Sequence, residues 1–238
     1  MRTGFKLVLL ITSLLISGIV ISSEYDWKEV RDQDGIQVYL KKYWADDIKS
    51  FKGIIKINSS VDSILAVILD LSACSDWIHH CKKSTLLFRK SFAECYHHQI
   101  QNFPFPAQNR DFIFHTKIVR SPQTGIITVH MNTANEFCIT HNHLCSPIDK
   151  FSNLIRVKHS HGHYRLEPLK TNATRVTWTQ HTNPEGNLPV WLINQMVQEI
   201  PYKTLRGLQK KVREDKYQTA RLIINAQGKM IELRTRKK

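Results

Sequence analysis

The sequence predicts an α+β fold in which an antiparallel sheet is gripped by a long C-terminal helix. Three observations carry this. Strand-length segments separated by turn chemistry fill the middle of the chain. A capped amphipathic helix precedes them, and a helical stripe that starts at about Pro189 and runs to about Lys216 follows. Strands grouped in the middle with helices at either side suit a sheet packed on one face by helices, rather than alternating β–α units. With 238 residues, 42% of them hydrophobic, one domain can bury a sizeable core.

In chain order, Asp34-Gly35 is a turn signal ahead of an alternating run, Ile36, Val38 and Leu40, which reads as a strand. A second strand is expected over 48–58, with Phe51, Gly53, Ile55 and Ile57 on one side. Ser59-Ser60 caps a helix whose Val61, Ile64, Leu65, Ile68 and Leu69 fall at helical spacing. Strands follow at 84–89, 93–101, 110–119 and 125–132, divided by Phe103-Pro-Phe-Pro106 and Ser121-Pro-Gln-Thr-Gly125. Residues 133–152 are polar and aperiodic and read as a connection. Strands resume at 154–166 and 174–181, for seven to nine in all. Pro201 lies inside the final helix, where it removes a backbone hydrogen bond and should bend it. The stretch 218–238 reads as a basic C-terminal extension, either a small hairpin around Ala226-Gln-Gly228 or a frayed end.

Residues 1–23 stand apart. Arg2 and Lys6 precede an uncharged apolar run over 7–21, and Ser22-Ser23 leads into polar sequence. That layout is a secretory signal peptide, and the run is short of the roughly 20 residues a spanning helix needs. An uncleaved anchor through 7–21 is the alternative. The chain carries 34 Lys and Arg against 20 Asp and Glu, a net +14, and loss of residues 1–23 removes two basic groups and leaves +12. Such a field favours anionic membrane surfaces and nucleic acid alike. Export argues against nucleic acid.

Five cysteines imply at least one free thiol. Cys138 and Cys145 flank a short polar segment and are the first candidate pair. Cys74 and Cys81 could pair only if the helix ends between them, because two helical turns would hold them about 10 Å apart. Twelve histidines include His159, His161 and His163, which alternate on one strand face. Their outer Cα atoms would be about 13 Å apart, too far for one metal, so no metal site is expected. His181 reads as a side chain stabilising the Asn183-Pro-Glu-Gly186 turn. No Gly-x-Ser-x-Gly elbow, phosphate loop or His-Glu-x-x-His motif occurs. Cys95 with His97-His98 matches a thiol–imidazole pair in composition only. No catalytic residue and no cofactor are therefore assigned.

Three segments resemble the StAR-related lipid-transfer (START) domain family and together span about 27–215. They are the opening Trp27 with the Gly-Ile-x-Val-Tyr strand, then Asn109-Arg-Asp-Phe-Ile113, then the strand–loop–helix from Thr174 through Pro189 to Tyr202. The resemblance implies a helix-grip fold over 24–217: a curved antiparallel sheet and a long C-terminal helix that close on an internal cavity. It implies a monomer that binds, and can transfer, one lipid or other hydrophobic molecule; together with the signal-peptide layout of residues 1–23, the expected protein is exported, bacterial and periplasmic. Phe112, Phe114, Thr116 and Ile118 share one strand face, and Ile193, Val197, Thr204 and Leu208 one helix face. Periodicity alone makes these faces packed core. The resemblance makes them, with Trp178, cavity-lining candidates, and His97 and Arg110 polar contacts. Arg110-Asp111 is otherwise a structural anchor. The sterol-carrying branch of the family has an arginine on a strand paired with an acid on the preceding one. Here those places hold Thr116 and the His97-His98 region, so sterol does not follow. Related helix-grip folds also host cyclases and hydrolases, which keeps an enzyme acting on a hydrophobic substrate as the alternative.

Overall fold

A computed structural model describes residues 27–105, 107–146, 148, 153–170 and 172–235. The expected signal peptide, the alternative anchor through 7–21 and the last three residues of the basic tail lie outside that set. Among the described residues no helix is long and apolar enough to cross a membrane.

The chain begins with β1 (Lys28–Gln33), β2 (Ile36–Lys42) and β3 (Lys49–Ile57), then α1 (Val61–Leu69), a single 3-10 turn and α2 (Cys74–Trp77). Next come β4 (Cys81–Ser91), β5 (Glu94–Gln101), β6 (Arg110–Arg120) and β7 (Ile127–Thr133). Two one-turn helices, α3 (Glu136–Thr140) and α4 (Asn142–Cys145), precede β8 (Ile155–Arg156), β9 (His159–Leu169) and β10 (Ala173–Asn183). The long helix α5 (Val190–Lys211) is followed by α6 (Asp215–Gln218) and a hairpin of β11 (Arg221–Ile224) and β12 (Met230–Arg234). One sheet runs in the order β1-β2-β3-β10-β9-β7-β6-β5-β4, with β8 paired parallel to β6. Every other neighbouring pair is antiparallel.

Local chemistry explains the starts and stops. Asp34 and Gly35 have φ of 55° and 72°, the left-handed pair that a two-residue hairpin turn requires, and β1 and β2 close on Gln33 opposite Ile36. The Ser60 hydroxyl accepts the Ser63 N–H at 3.1 Å and caps α1, which buries Ile64, Leu65 and Ile68. β4 carries three register shifts against β5; such bulges bend a strand and sharpen its twist, which curls that edge of the sheet.

Helix α5 lies across β2, β3 and α2, and two glycines let it approach. A Cβ on Gly53 would stand 2.7 Å from Leu205 Cδ1 and one on Gly207 2.2 Å from the Trp77 carbonyl oxygen. The helix runs through Pro201 and stops sooner than the periodicity suggests. Glu214 is extended at ψ 136°, which turns α6 back so that buried Tyr217 donates to Asp70 Oδ2 at 2.9 Å. Within the connection, residues 136–145 form two short helices, and a Cys138–Cys145 disulfide ties α3 to α4. Phe137, Cys145, Ile148 and Ile113 form a small second core there. A second disulfide joins Cys74 to Cys81 with Cα atoms 5.8 Å apart; α2 ends at Trp77, which meets the condition for pairing. Residues 221–234 of the extension form a hairpin. It rests on α1, with Leu222 N–H donating to Asp62 Oδ2 at 2.9 Å and Met230 buried in the main core.

Candidate functional site

The sheet and α5 do not pack solid. Between them lies a cavity of about 120 Å³, roughly ten times the 10–15 Å³ that a single water occupies by a comparable measure. One wall is apolar: Phe51 on β3, Trp178 on β10 and Ile193, Met196, Val197 and Ile200 on α5. The other is the inner face of β4, β5 and β6. Alternation along β5 points Cys95, His97, Gln99 and Gln101 into the space, with Phe112, Phe114 and Thr116 beside them on β6. Trp77 and Tyr164 complete the lining between the walls.

Of the residues expected from sequence to line the site, the structure brings together Phe112, Phe114, Thr116, Trp178, Ile193, Val197 and His97. Ile118, Thr204, Leu208 and Arg110 require correction. Ile118 shares the face of Phe114 but lies farther along β6, where the main core is filled. Leu208 is fully buried in that core. Thr204 looks toward the loop after α2, its hydroxyl accepting the His79 N–H at 3.1 Å. Arg110 is 1% exposed and anchors loops instead of meeting the cavity. It donates from Nε to the Pro184 carbonyl at 3.0 Å, from Nη2 to the Glu185 carbonyl at 2.9 Å and from Nη1 to the Gln108 carbonyl. Gln99, Gln101, Ser84, Trp77 and Tyr164 were missed, although the period-2 pattern of 95–101 is visible in the sequence.

The titratable groups on the inner faces of β5 and β9 are held in their neutral forms. Burial, reinforced by neighbouring His98, holds the His97 imidazole at a pKa of about 4, so it is uncharged at neutral pH. Its Nδ1 lies 3.4 Å from Thr116 Oγ1. Burial pushes the Cys95 thiol up and the Tyr164 phenol well above its ordinary value. Asp111 points to the other face of the sheet. Burial pushes its carboxyl up, but hydrogen bonds from His98 and Arg156 outweigh this and leave it below the usual range.

The histidine-rich strip lies on the face of the sheet away from the cavity, with His130, His159 and His161 exposed and His181 buried. His130 stands opposite His163 and His161 opposite His181. Among the described residues no group of three or more His, Cys, Asp or Glu is placed to hold a metal ion. His181 serves another segment than the turn assigned to it. Tyr43 stacks on it with centroids 3.6 Å apart, and Ser50 and Asp46 each lie 3.3 Å from a ring nitrogen, so it fastens the β2–β3 loop.

A twisted antiparallel sheet gripped by one long helix, with a largely apolar cavity between them, defines a helix-grip protein. The chain belongs to the START domain family, whose model matches residues 20–217 and leaves the terminal hairpin outside. It is similar to a STAR-related lipid transfer protein from Xanthomonas axonopodis, at 26% identity and a TM-score of 0.68 over 79% of this chain and 99% of that one. It is 29% identical to an uncharacterised protein of Pseudomonas aeruginosa over 77% of this chain and 85% of that protein. It is also 26% identical to the phosphatidylcholine transfer protein of Rattus norvegicus over 71% of this chain and 75% of that protein.

Proposed function

We propose that this protein binds one lipid in the cavity, closed in by α5, and carries it between membranes as an exported, periplasmic monomer without catalysing a reaction. The observation that carries the reading is the unfilled cavity between an apolar helix and a partly polar sheet. The names of the lipid transfer relatives support it. Each Å² of apolar ligand surface withdrawn from water contributes about 25 cal/mol, enough to hold an acyl chain. A whole two-chain lipid exceeds the present space, so loading requires outward movement of the N-terminal half of α5, where Ile193, Met196 and Val197 face the cavity.

The rim favours a membrane as the place of exchange. Trp44 in the β2–β3 loop is 89% exposed, Phe105 in the β5–β6 loop 97% and Trp191 in the first turn of α5 68%. The three segments are tied at one end of the molecule. The Lys49 N–H donates to Asn194 Oδ1 of α5 at 3.1 Å, and Arg110 joins the β5–β6 loop to the loop before α5. Aromatic side chains of this kind suit the interface of a bilayer, and the net positive charge favours an anionic one.

Native mass spectrometry after gentle purification, with a fluorescent-lipid transfer assay between vesicles, tests the reading. One lipid per chain and transfer that falls on Trp44→Ala and Trp191→Ala substitution are expected. A protein that carries no lipid, and extracts none from mixed vesicles, is not a lipid carrier.

A further inference from the structure

Resting on the carrier reading, we infer that the cargo is an uncharged lipid bearing hydroxyl, amide or ester groups along one edge, rather than a phospholipid held by its phosphate. The β5 stripe from Cys95 to Gln101 runs about 20 Å at strand spacing, and while its His97 is bonded to Thr116, its Gln99 amide is left for a ligand. Gln99 is 7% exposed, and its amide has no hydrogen-bond partner among the described residues. The same holds for the Tyr164 hydroxyl, on a residue 2% exposed. The Trp77 indole N–H and the Ser84 hydroxyl are buried and unpartnered, and Ser84 stands opposite Gln99 in the β4–β5 register.

Gln180 shows what this protein does with a buried amide that needs no ligand. Trp178 Nε1 donates to its Oε1 at 3.3 Å, and its Nε2 donates to Ser160 Oγ at 2.7 Å. The groups on β4 and β5 have no such arrangement. A buried donor or acceptor without a partner is costly, so a ligand that satisfies them gains both affinity and orientation.

Charge decides against a phosphate within the stripe. Lys49 and Arg89, the cations of the lining, are solvent-exposed, and Asp70 is engaged by Lys216. Arg89 stands opposite Cys95 at one end of the stripe, so an anion buried farther along it, against Gln99 and Gln101, would lie away from that charge and lose its hydration. Amide and hydroxyl side chains both donate and accept, which matches ligand groups of the same kind.

The test loads the full chain from vesicles containing equal amounts of phosphatidylcholine, phosphatidylglycerol, diacylglycerol and N-acylsphingosine. The protein is re-isolated, and its bound lipid is extracted and quantified by mass spectrometry. Diacylglycerol or N-acylsphingosine enriched at least tenfold over both phospholipids is expected, with Gln99→Leu reducing that enrichment about tenfold, the worth of one well-made hydrogen bond. Ser84→Ala removes only the unpartnered hydroxyl and covers the case in which Gln99→Leu fails to fold; it should lower neutral-lipid enrichment without lowering the thermal midpoint. Phospholipid bound as well as the uncharged lipids, or enrichment unchanged in both variants, overturns the inference and leaves the carrier reading standing. No lipid of any class overturns both, by removing the reading on which the inference rests.

Discussion

Gly207 separates two physical effects of opposite sign. It lies inside α5, where replacing glycine by alanine ordinarily stabilises a helix by about 1 kcal/mol. Here the new Cβ would meet the Trp77 carbonyl oxygen at 2.2 Å and its C and Cα at 3.0 Å, well inside the roughly 3.5 Å of an ordinary contact. The opposing group is backbone, so no rotamer change relieves it. That backbone is also fixed on both sides: Ile78 N–H donates to the Cys74 carbonyl at 2.9 Å, His79 N–H to Thr204 at 3.1 Å, and Cys74 is bonded to Cys81. Overpacking of this kind costs about 1–3 kcal/mol, and the fixed partner favours the upper part of that range. Gly207→Ala should therefore destabilise by about 1–2 kcal/mol net, a fall in Tm of roughly 2–8 °C for a domain of this size. Urea denaturation followed by tryptophan fluorescence measures it, as a lower midpoint at unchanged m-value. A midpoint that rises would mean that propensity outweighs the contact, and would refute the close seating of α5 on α2.

Three further outcomes follow from the same structure. His97 has its folded pKa lowered from 6.5 to about 4 by burial, so the unfolded chain binds the extra proton first. Stability is full above pH 6.5 and lost as pH falls toward 4, by about 3 kcal/mol in all. His97→Gln should remove that share of the pH slope between 6.5 and 4 in denaturation curves, and an unchanged slope would exclude it. Asp70, held at about 2 by its hydrogen-bond partners despite burial, acts in a separate window below pH 3.8. Replacing Cys138 and Cys145 by serine opens a short loop and should cost about 2 kcal/mol, with faster amide exchange confined to α3, α4 and the strands beneath them. Arg110→Lys should cost about 2–4 kcal/mol, because an ammonium cannot reproduce the planar fork that serves three carbonyls, and should speed amide exchange in residues 184–189.

Much of the fold is legible in the sequence because its signals are local. Asp34-Gly35 fixes a hairpin and Ser60 a helix start, each through one residue's own backbone or hydroxyl. Period-2 and period-3.6 patterns identify which faces are buried. They do not say what a buried face meets at each point along its length. Phe114 and Ile118 share a face of β6, yet one borders the cavity and the other the filled core, because the space occupies one end of the sheet. The stripe on α5 divides in the same way: Ile193 and Val197 face the void, while Leu208 enters the core and Thr204 binds a loop distant in sequence. The early end of α5 was hidden for a related reason. Arg213-Glu214-Asp215 is compatible with helix, and the break is decided by the contact that Tyr217 makes with Asp70, the residue that ends α1.

The cavity persists because collapse would cost more than it returned. Closing it would move Ile193 and Val197 onto the Gln99 amide and the His97 ring. That contact would seal unpartnered polar groups against hydrocarbon, at about 1–3 kcal/mol for each group left without a partner. The approach of α5 is set elsewhere, by Gly53 beneath Leu205 and Gly207 against Trp77, which seat the C-terminal half of the helix. The disulfide at Cys74–Cys81 keeps α2 at its station under that half. A helix seated at one end and facing polar strands at the other has little to gain by descending further. The void is thus a product of residue choice on both walls, and a ligand with hydrogen-bonding groups on one edge and hydrocarbon on the other satisfies both walls at once.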